Sequence, residues 1–340
     1  MTPLQFTDDA IAVSVVVPAR DAAPTLDRAL RALEAQELDR AFEVIVVDDG
    51  SRDGTAEIAR RHPELVRLVR HEDSQGPGAA RNRGVQEARG LVLAFTDADC
   101  FPTREWLVRG LEALAEADLV QGRVEPDPTA RRTPFDRTLS VDSDRGVYQT
   151  ANLFVRRETF DAVGGFRDWV LEQRPDRRWS QDTRRARAMR TPIGEDTDFA
   201  WRARRLSAVV AFSSEAVVYH AVVPGTVSDA IADRWHWARD MSGLTRLVPE
   251  LRHTAYYRRV FFNQVSARFD LALAGLAIAM LTREAGWTVA GMPYIRHLRV
   301  VSSQWGRAEA ITYILGAPLL DAVTMAGLLT GSLTWRSLVL

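Results

Sequence analysis

Apolar strands and amphipathic helices alternate along the first hundred residues, and this alternation constrains the fold more than any other feature of the chain. Four short apolar runs have the length and β-branched content of buried strands: residues 13–17, 42–47, 65–69 and 91–95. After the first run, apolar residues recur at helical spacing, at Leu26, Ala29, Leu30 and Leu33. The pattern predicts an α/β fold with a mostly parallel sheet and helices on both faces.

Polar residues and glycines follow each of these predicted strands. The candidate site residues at these strand ends are Pro18, Ala19 and Asp21 after the first strand, Asp48 and Asp49 after the second, Gly76, Gly78 and Arg81 after the third, and Asp97 and Asp99 after the fourth. Ligands of such sheets bind outside the carboxyl ends of the strands. We therefore expect one shared site at this edge, although Asp and Gly are also common in ordinary turns.

The sequence Thr-Asp-Ala-Asp, which ends at Asp99, is the most specific of these clusters. Strand residues two apart face the same way, so Asp97 and Asp99 can reach one ligand. Two adjacent carboxylates repel each other unless positive charge lies between them. A divalent metal with oxygen ligands fits this requirement, and a polar strand-end turn is the structural alternative.

Composition excludes several classes of protein. The net charge of −1 gives no overall case for nucleic-acid binding. All 44 basic residues are arginine, which excludes a catalytic lysine and a Walker-type phosphate loop, because that loop requires one. The single cysteine, Cys100, excludes an intramolecular disulfide and a multi-cysteine metal site, and it suits a reducing, cytoplasmic setting. The N-terminus lacks the pattern of a secretory signal.

The strand–helix alternation stops near Pro224, and helical patterns follow it. The 340 residues are enough for a large α/β domain with an appendage. We expect an α/β domain over residues 1–224. We expect a helical C-terminal region over residues 225–340.

Two apolar stretches, residues 271–281 and 311–335, raise the question of membrane association. A spanning helix needs about 20 apolar residues, so the first stretch is predicted to be too short. The second is long enough, but Asp321 lies near its middle, where a charge is costly in lipid. Packed helices of a soluble tail, helices lying in a membrane interface, and a spanning or re-entrant helix all remain open.

Between Val13 and His220, the motifs in this order resemble those of the family-2 glycosyltransferases, which are inverting enzymes of the GT-A fold. The motifs are Val-Val-Val-Pro-Ala-Arg-Asp at 15–21, Val-Val-Asp-Asp-Gly-Ser-Arg-Asp-Gly-Thr at 46–55, Gly-Pro-Gly-Ala-Ala-Arg-Asn-Arg-Gly at 76–84, Phe-Thr-Asp-Ala-Asp at 95–99, Ala-Asn-Leu-Phe-Val-Arg-Arg at 151–157, Val-Gly-Gly-Phe at 163–166 and Gly-Glu-Asp-Thr-Asp-Phe-Ala-Trp-Arg at 194–202. The resemblance covers about two-thirds of the chain, and the region after Pro224 resembles the membrane-associated tails of some members. Within the domain over residues 1–224, the resemblance implies a nucleotide-binding half at 13–100 and an acceptor half at 101–224.

The resemblance implies a nucleotide-sugar donor, a UDP-sugar by default, and residues that bind it. The implied donor-binding residues are Pro18, Ala19, Asp21, Asp48, Asp49, Gly76, Gly78, Arg81 and Asp97. Asp48 would accept a hydrogen bond from the base, whereas Asp49 shares that task or holds the following turn. Arg81 would contact a phosphate or the base, since its planar fork offers several charge-assisted bonds; a surface arginine is the alternative.

The resemblance also implies a divalent cofactor, Mn²⁺ or Mg²⁺. Asp99 would be a direct ligand, with Asp97 binding through water or holding the donor ribose or sugar. His220 resembles the late metal-binding histidine of the family, although the Ala-Val-Val-Pro that follows it departs from commoner versions. A capping or surface histidine is the alternative.

For the acceptor, the resemblance implies a saccharide or a lipid-linked saccharide destined for the cell envelope. Asp196 would be the general base, supported by Glu195, and a helix N-terminus favours the anionic form. Simple helix capping is the alternative. The implied acceptor-binding residues are Gly164, Gly165, Phe166 and Trp201, with core packing as the alternative for Trp201.

Residues 167–190 contain eight arginines and four acidic residues. A long segment at this place predicts a lid over donor and acceptor whose arginines meet a lipid phosphate or an anionic surface. A solvated insertion is the alternative.

Three other functions are alternatives to sugar transfer. A sugar nucleotidyltransferase would need an early Gly-rich loop, which the first strand lacks, and a dinucleotide-dependent oxidoreductase would need a complete glycine fingerprint. A non-catalytic nucleotide-sugar-binding module stays open. We expect a cytoplasmic protein, at or away from the membrane.

Overall fold

The structure is a computed structural model that describes residues 11–167 and 194–340. Its described residues divide between two compact units. The described residues of the first unit lie within Met1–Ala130 and Thr138–Ala221, and those of the second lie within Arg131–Arg137 and Val222–Leu340.

The first unit is an eight-stranded sheet with helices. Its strands are β1 Val13–Ala19, β2 Phe42–Asp49, β3 Val66–His71, β4 Val92–Phe95, β5 Cys100–Pro102, β6 Leu119–Pro126, β7 Leu153–Arg156 and β8 Val210–His220. Its helices are α1 Leu26–Glu34, α2 Thr55–Arg60, α3 Pro77–Glu87, α4 Trp106–Leu114, α5 Arg157–Val163 and α6 Glu195–Arg205.

The sheet has two halves of different character. Its order is β3-β2-β1-β4-β7-β6-β8-β5, and β3, β2, β1 and β4 are mutually parallel. The other half is mixed, because β7 pairs antiparallel with β4 and β6, and β5 pairs antiparallel with β8, while β6 and β8 run parallel. The chain order reverses at β1, so the carboxyl ends of the parallel strands form a switch point, the usual place for a ligand.

Burial explains why the first strands read as continuous apolar runs. Almost every residue of β1, β2 and β4 is buried, as expected for strands covered on both faces. Helix α1 packs one apolar stripe, Leu26, Leu30 and Leu33, onto this core.

The second unit is helical among the described residues. Its helices are α7 Val227–Leu247, α8 Leu251–Thr254, α9 Gln264–Thr282, α10 Met292–Ser302 and α11 Arg307–Trp335. Thr226 and Asp229 form a capping box at the start of α7. Helix α11 lies very close to α7, because a Cβ atom added at Gly331 would sit 2.2 Å from the Arg239 carbonyl oxygen.

Helices α9 and α11 are long and apolar enough to cross a membrane, judged by length and composition alone. For α9 this corrects the expectation that the stretch 271–281 is too short. The helix begins at Gln264, seven residues before the apolar run, and reaches 19 residues. In the apolar 18-residue segment of each helix, 11% of the residues of α9 and 39% of those of α11 are buried. Two such helices are weak evidence for a membrane span.

Gly84 gives a direct test of the packing between α3 and the sheet. A Cβ atom at Gly84 would lie 2.4 Å from Val16 Cγ1, whereas one at Gly78 in the same helix would make ordinary contacts at 3.5 Å. We expect Gly84→Ala to lower the free energy of unfolding by about 1–3 kcal/mol, despite the better helix propensity of alanine. Urea unfolding followed by circular dichroism measures this change. The matched variant Gly78→Ala should be neutral or stabilising by up to about 1 kcal/mol, and equal effects at the two sites would contradict the packing described here.

Candidate active site

The loops after β1 and β2 are joined to each other at the carboxyl edge of the sheet. The Asp21 amide donates to Ser51 Oγ at 3.0 Å, and the Arg52 amide donates to Asp21 Oδ1 at 2.8 Å. Ala19 pairs in register with Asp48, which brings the end of β1 beside the second loop. Pro18, Ala19 and Asp21 therefore line the same edge as Asp48, as the sequence predicted.

Asp48 is fully buried at the end of β2 and keeps one oxygen without a hydrogen-bond donor among the described residues. Its Oδ1 atom accepts the Ser51 amide at 2.8 Å. Its Oδ2 atom lies 3.1 Å from Arg70 Nε as an ion pair whose geometry makes no hydrogen bond. A buried acceptor of this kind is costly unless a ligand supplies a donor. The imide N–H of a nucleobase is such a donor.

Asp49 has a different environment, because its carboxylate is occupied by the turn before α3. Asp49 accepts hydrogen bonds from the His71 ring at 2.7 Å, Ser74 Oγ at 2.7 Å, and the amides of Gln75 and Gly76 at 2.9 Å each. Burial alone would raise the pKa of Asp49, but these bonds hold it below its usual value. These contacts favour the turn-holding role over contact with a base.

Gly76 and Gly78 act through the backbone. Gly76 has φ of 96° at the start of α3, a conformation that favours glycine. Gly78 packs beside Phe166 and Glu195, where a Cβ atom would still find room.

Arg81 lies buried between two carboxylates from different parts of the chain. Its Nη2 atom donates to Asp97 Oδ1 and its Nη1 atom donates to Glu195 Oε1, both at 2.9 Å. The guanidinium therefore links the loop after β4 to the start of α6. Its Nε atom has no hydrogen-bond partner among the described residues, so one donor of the fork remains for a ligand.

Asp196 follows Glu195 in the first turn of α6 and is also buried. Its carboxylate accepts the amides of Thr150 at 3.3 Å and Thr197 at 2.8 Å. Burial, and after it the negative charge of Glu195, raise the pKa of Asp196 to about 7, against the opposing effect of Arg81. Burial also raises the pKa of Glu195, and the contact with the positively charged Arg81 reduces this rise. A carboxylate with a pKa near neutral pH is suited to accept a proton.

Asp99 and His220 lie close to each other, and Cys100 joins them. His220 Nε2 lies 3.6 Å from Asp99 Oδ2, and Cys100 pairs directly with His220 across β5 and β8. The ligand atoms of these three residues all lie within 4.8 Å of one another, so the group can hold a metal ion. Asp97 is not part of this group among the described residues, since its carboxylate is directed to Arg81.

Sequence reasoning named Asp99 and His220 but did not include Cys100 or Arg70. In the sequence, Cys100 served only to exclude a disulfide and a multi-cysteine metal site and to indicate a reducing setting, although it directly follows Asp99; its pairing with His220 decides its place. Arg70 stands at the end of β3, opposite Asp48 in the parallel register, and that position could have indicated it.

The comparisons with known proteins agree with this architecture. Residues 14–172 match the family model described as glycosyl transferase family 2. The chain contains a glycosyltransferase family 2 domain. Among solved structures, the mannosyltransferase PcManGT from Pyrobaculum calidifontis, in complex with GDP-Man and Mn²⁺, aligns with a TM-score of 0.52 at 18% identity, over 95% of this chain and 86% of that one. This likeness shows the fold, which is GT-A.

Among curated relatives, the glycosyltransferase AglE of Haloferax volcanii is 36% identical over 173 residues, which are 47% of this chain and 57% of AglE. The dolichyl-phosphate beta-glucosyltransferase ALG5C of Trichomonas vaginalis is 31% identical over 159 residues, which are 41% of this chain and 47% of ALG5C. The chain thus spans about half the length of these curated relatives.

In this glycosyltransferase domain, the residues expected to bind an acceptor are placed largely by packing. Gly164 and Gly165 end α5 with φ of 82° and 75°. Phe166 is buried in an aromatic cluster with Phe95, Phe160 and Phe199. Trp201 is buried and donates from Nε1 to the Gly146 carbonyl at 2.8 Å. These contacts favour the packing alternative for Trp201 and give Phe166 the same role.

The predicted lid falls mostly on residues 168–193, which lie outside the described residues. Arg167, at its start, forms a bidentate pair with the fully buried Asp198 at 2.8 Å, and Arg202 donates to the same carboxylate at 2.9 Å. Asp198 therefore fixes the start of this segment to α6.

The raised pKa of Asp196 predicts a pH-dependent penalty on stability. The pKa rises from about 3.9 in the unfolded chain to about 7 in the folded one. The folded state therefore binds more protons between these values, and this carboxyl lowers stability as pH rises from about 4 to about 7. We expect Asp196→Asn to raise the free energy of unfolding at pH 8, relative to pH 5, by on the order of 1–4 kcal/mol.

Urea unfolding of wild type and variant at both pH values measures the difference. Glu57→Gln is the matched control, because Glu57 is an exposed carboxylate paired with exposed Arg60, and it should change little at either pH. An Asp196→Asn effect independent of pH would mean that Asp196 is ionised without penalty.

Proposed function

We propose that the protein is an inverting, metal-dependent glycosyltransferase that moves a sugar from a nucleoside-diphosphate sugar, by default a UDP-sugar, to a saccharide or lipid-linked acceptor. One observation carries this proposal. The Arg81 guanidinium joins Asp97, on the donor side of the edge, to Glu195, which directly precedes Asp196. The proposed donor-binding carboxylate, Asp97, and the residue directly before the proposed general base therefore contact the same guanidinium.

The nucleobase of the sugar donor binds beside Asp48. The Oδ2 atom of this buried carboxylate has no hydrogen-bond donor among the described residues and accepts an imide N–H, and Arg70 lies next to it as an ion-pair partner. The loops around Asp21 and Ser51, which are joined by hydrogen bonds, form the wall of the nucleobase pocket. Uracil and thymine both carry an imide and guanine carries a related N–H, so this contact suits UDP-, TDP- and GDP-sugars, and the UDP-sugar is the default by resemblance.

The group formed by Asp99, Cys100 and His220 fits a divalent ion, Mn²⁺ or Mg²⁺ by resemblance. His220 directs Nδ1 to the Ala221 carbonyl at 2.8 Å, so its Nε2 lone pair faces Asp99. An ion held by these residues would supply positive charge to the leaving diphosphate.

Asp196 acts as general base. The acceptor hydroxyl oxygen attacks the anomeric carbon from the face opposite the diphosphate, and its proton moves to the Asp196 carboxylate. The bond between the anomeric carbon and the diphosphate oxygen breaks with inversion. Glu195 keeps its ion pair with Arg81, which leaves Asp196 as the carboxylate that takes up the proton.

Replacing Asp196 separates base catalysis from donor binding. We expect Asp196→Asn to lower the transfer rate by about 10²–10⁴-fold while donor binding, measured by calorimetry, stays near wild type. The wild-type rate should rise with pH to a plateau above the pKa of about 7, because only the ionised carboxylate accepts a proton. Glu57→Gln should leave rate and pH profile unchanged. Near-wild-type transfer by Asp196→Asn would show that another group is the base.

We further propose that the second unit associates with the cytoplasmic face of a membrane, where a lipid-linked acceptor is available. Large apolar side chains are exposed on its helices, including Leu281 at 85%, Leu315 at 74% and Leu333 at 84% exposure. The relative ALG5C is named for a dolichyl-phosphate acceptor, which supports a lipid-phosphate acceptor here.

Vesicle flotation tests the membrane proposal. We expect the wild-type protein to float with vesicles, and Leu281→Glu together with Leu315→Glu to move most of it to the aqueous fraction, because charges oppose insertion of an apolar surface. Leu206→Glu is the matched control, since Leu206 is an exposed leucine of the first unit. Wild-type protein that stays monomeric in the aqueous fraction with every vesicle composition would refute membrane association.

A further inference from the structure

Cys100 and His220 are directly opposite residues in the antiparallel pair formed by β5 and β8. Directly opposed residues in such a pair extend their side chains to the same face of the sheet. The sulfur and the imidazole therefore share one side of the edge. Asp99, the residue before Cys100, reaches the same place from the end of the turn after β4.

The contacts of the three side chains converge on one point. The Cys100 thiol is directed at Asp99 Oδ1, at 3.9 Å, and His220 Nε2 approaches Asp99 Oδ2 at 3.6 Å. The Nδ1 atom of His220 is occupied by the Ala221 carbonyl, which fixes the tautomer with the Nε2 lone pair free for coordination. This orientation of the histidine is an observation independent of the cysteine, and it points to a ligand.

The spacing is compatible with a shared ion. Ligand atoms about 2.0–2.3 Å from one tetrahedral ion lie roughly 3.3–3.8 Å apart. The three atoms here lie within 4.8 Å of one another, so a contraction of about 1 Å closes the set.

We propose that Cys100 is a direct sulfur ligand of the metal in this site, and that it biases the site towards ions that accept sulfur, such as Co²⁺ and Zn²⁺, over Mg²⁺. The inference rests on the metal site of the proposed transferase. Sulfur–metal bond formation releases the thiol proton to solvent, with no change of oxidation state. A carboxylate, a thiolate and an imidazole form a mixed set, whereas Mg²⁺ prefers oxygen ligands alone.

Cobalt binding reports on the sulfur directly. Titration of the anaerobic full-length protein with CoCl₂, with and without UDP, should give a thiolate-to-cobalt charge-transfer band in the near ultraviolet at one equivalent of ion. The assignment is unambiguous, because Cys100 is the only cysteine of the chain. Calorimetry in parallel measures how much Co²⁺ and Mg²⁺ bind.

Two variants complete the experiment. Cys100→Ser should abolish the band and lower the affinity for Co²⁺ relative to Mg²⁺ by at least about tenfold, with a circular dichroism spectrum like that of the wild type. Cys100→Ala serves if the serine variant does not fold. The wild-type titration needs no variant, so the proposal is testable in either case.

Each contrary result is distinct. Co²⁺ that binds the wild type without the band would overturn the sulfur ligand and leave the transferase proposal standing. Protein that binds UDP but neither Co²⁺ nor Mg²⁺ would overturn the metal site of the proposed function together with this inference, whereas Mg²⁺ binding without Co²⁺ binding would overturn this inference alone. A variant with unchanged ion preference would likewise refute the role of Cys100, which would then be a small buried core residue.

Discussion

The buried guanidinium of Arg81 is the interaction on which the rest of the site depends. A charge removed from water is stable only when it is paired and hydrogen-bonded, and Arg81 meets this condition through Asp97 and Glu195. These partners belong to separate parts of the chain, the loop after β4 and the first turn of α6. The same charge therefore holds two halves of the first unit in register and offsets the repulsion among the carboxylates gathered there.

Two neighbouring carboxylates receive different surroundings from this arrangement. Glu195 contacts Arg81 directly, whereas Asp196 receives two backbone amides and feels Arg81 only at longer range. Burial raises the pKa of both, but only Glu195 has a cation in contact to compensate it. Burial of the ionised Asp196 carboxylate therefore lowers the free energy of unfolding, and the same burial makes the carboxylate more basic.

The parallel half of the sheet could be predicted because its information is local. Apolar runs at 13–17, 42–47, 65–69 and 91–95 became β1 to β4 with ends shifted by one or two residues, and the clustering of their polar ends follows from strand direction. The mixed half depends on pairings between distant segments, so the partnership of Cys100 with His220 has no local signal. Phe166 and Trp201 show the same limit, because only three-dimensional packing decides whether an aromatic ring faces a ligand or the core.

The loops around the proposed nucleobase pocket are hydrogen-bonded to one another without any ligand. Asp21, Ser51 and the turn held by Asp49 are connected by hydrogen bonds that span three successive strand ends. The entropy of ordering these loops is lost when the chain folds and not when the donor binds. Under the proposed function, the nucleotide would meet loops that are already joined by hydrogen bonds, and discrimination between donors would depend on the residues around the sugar.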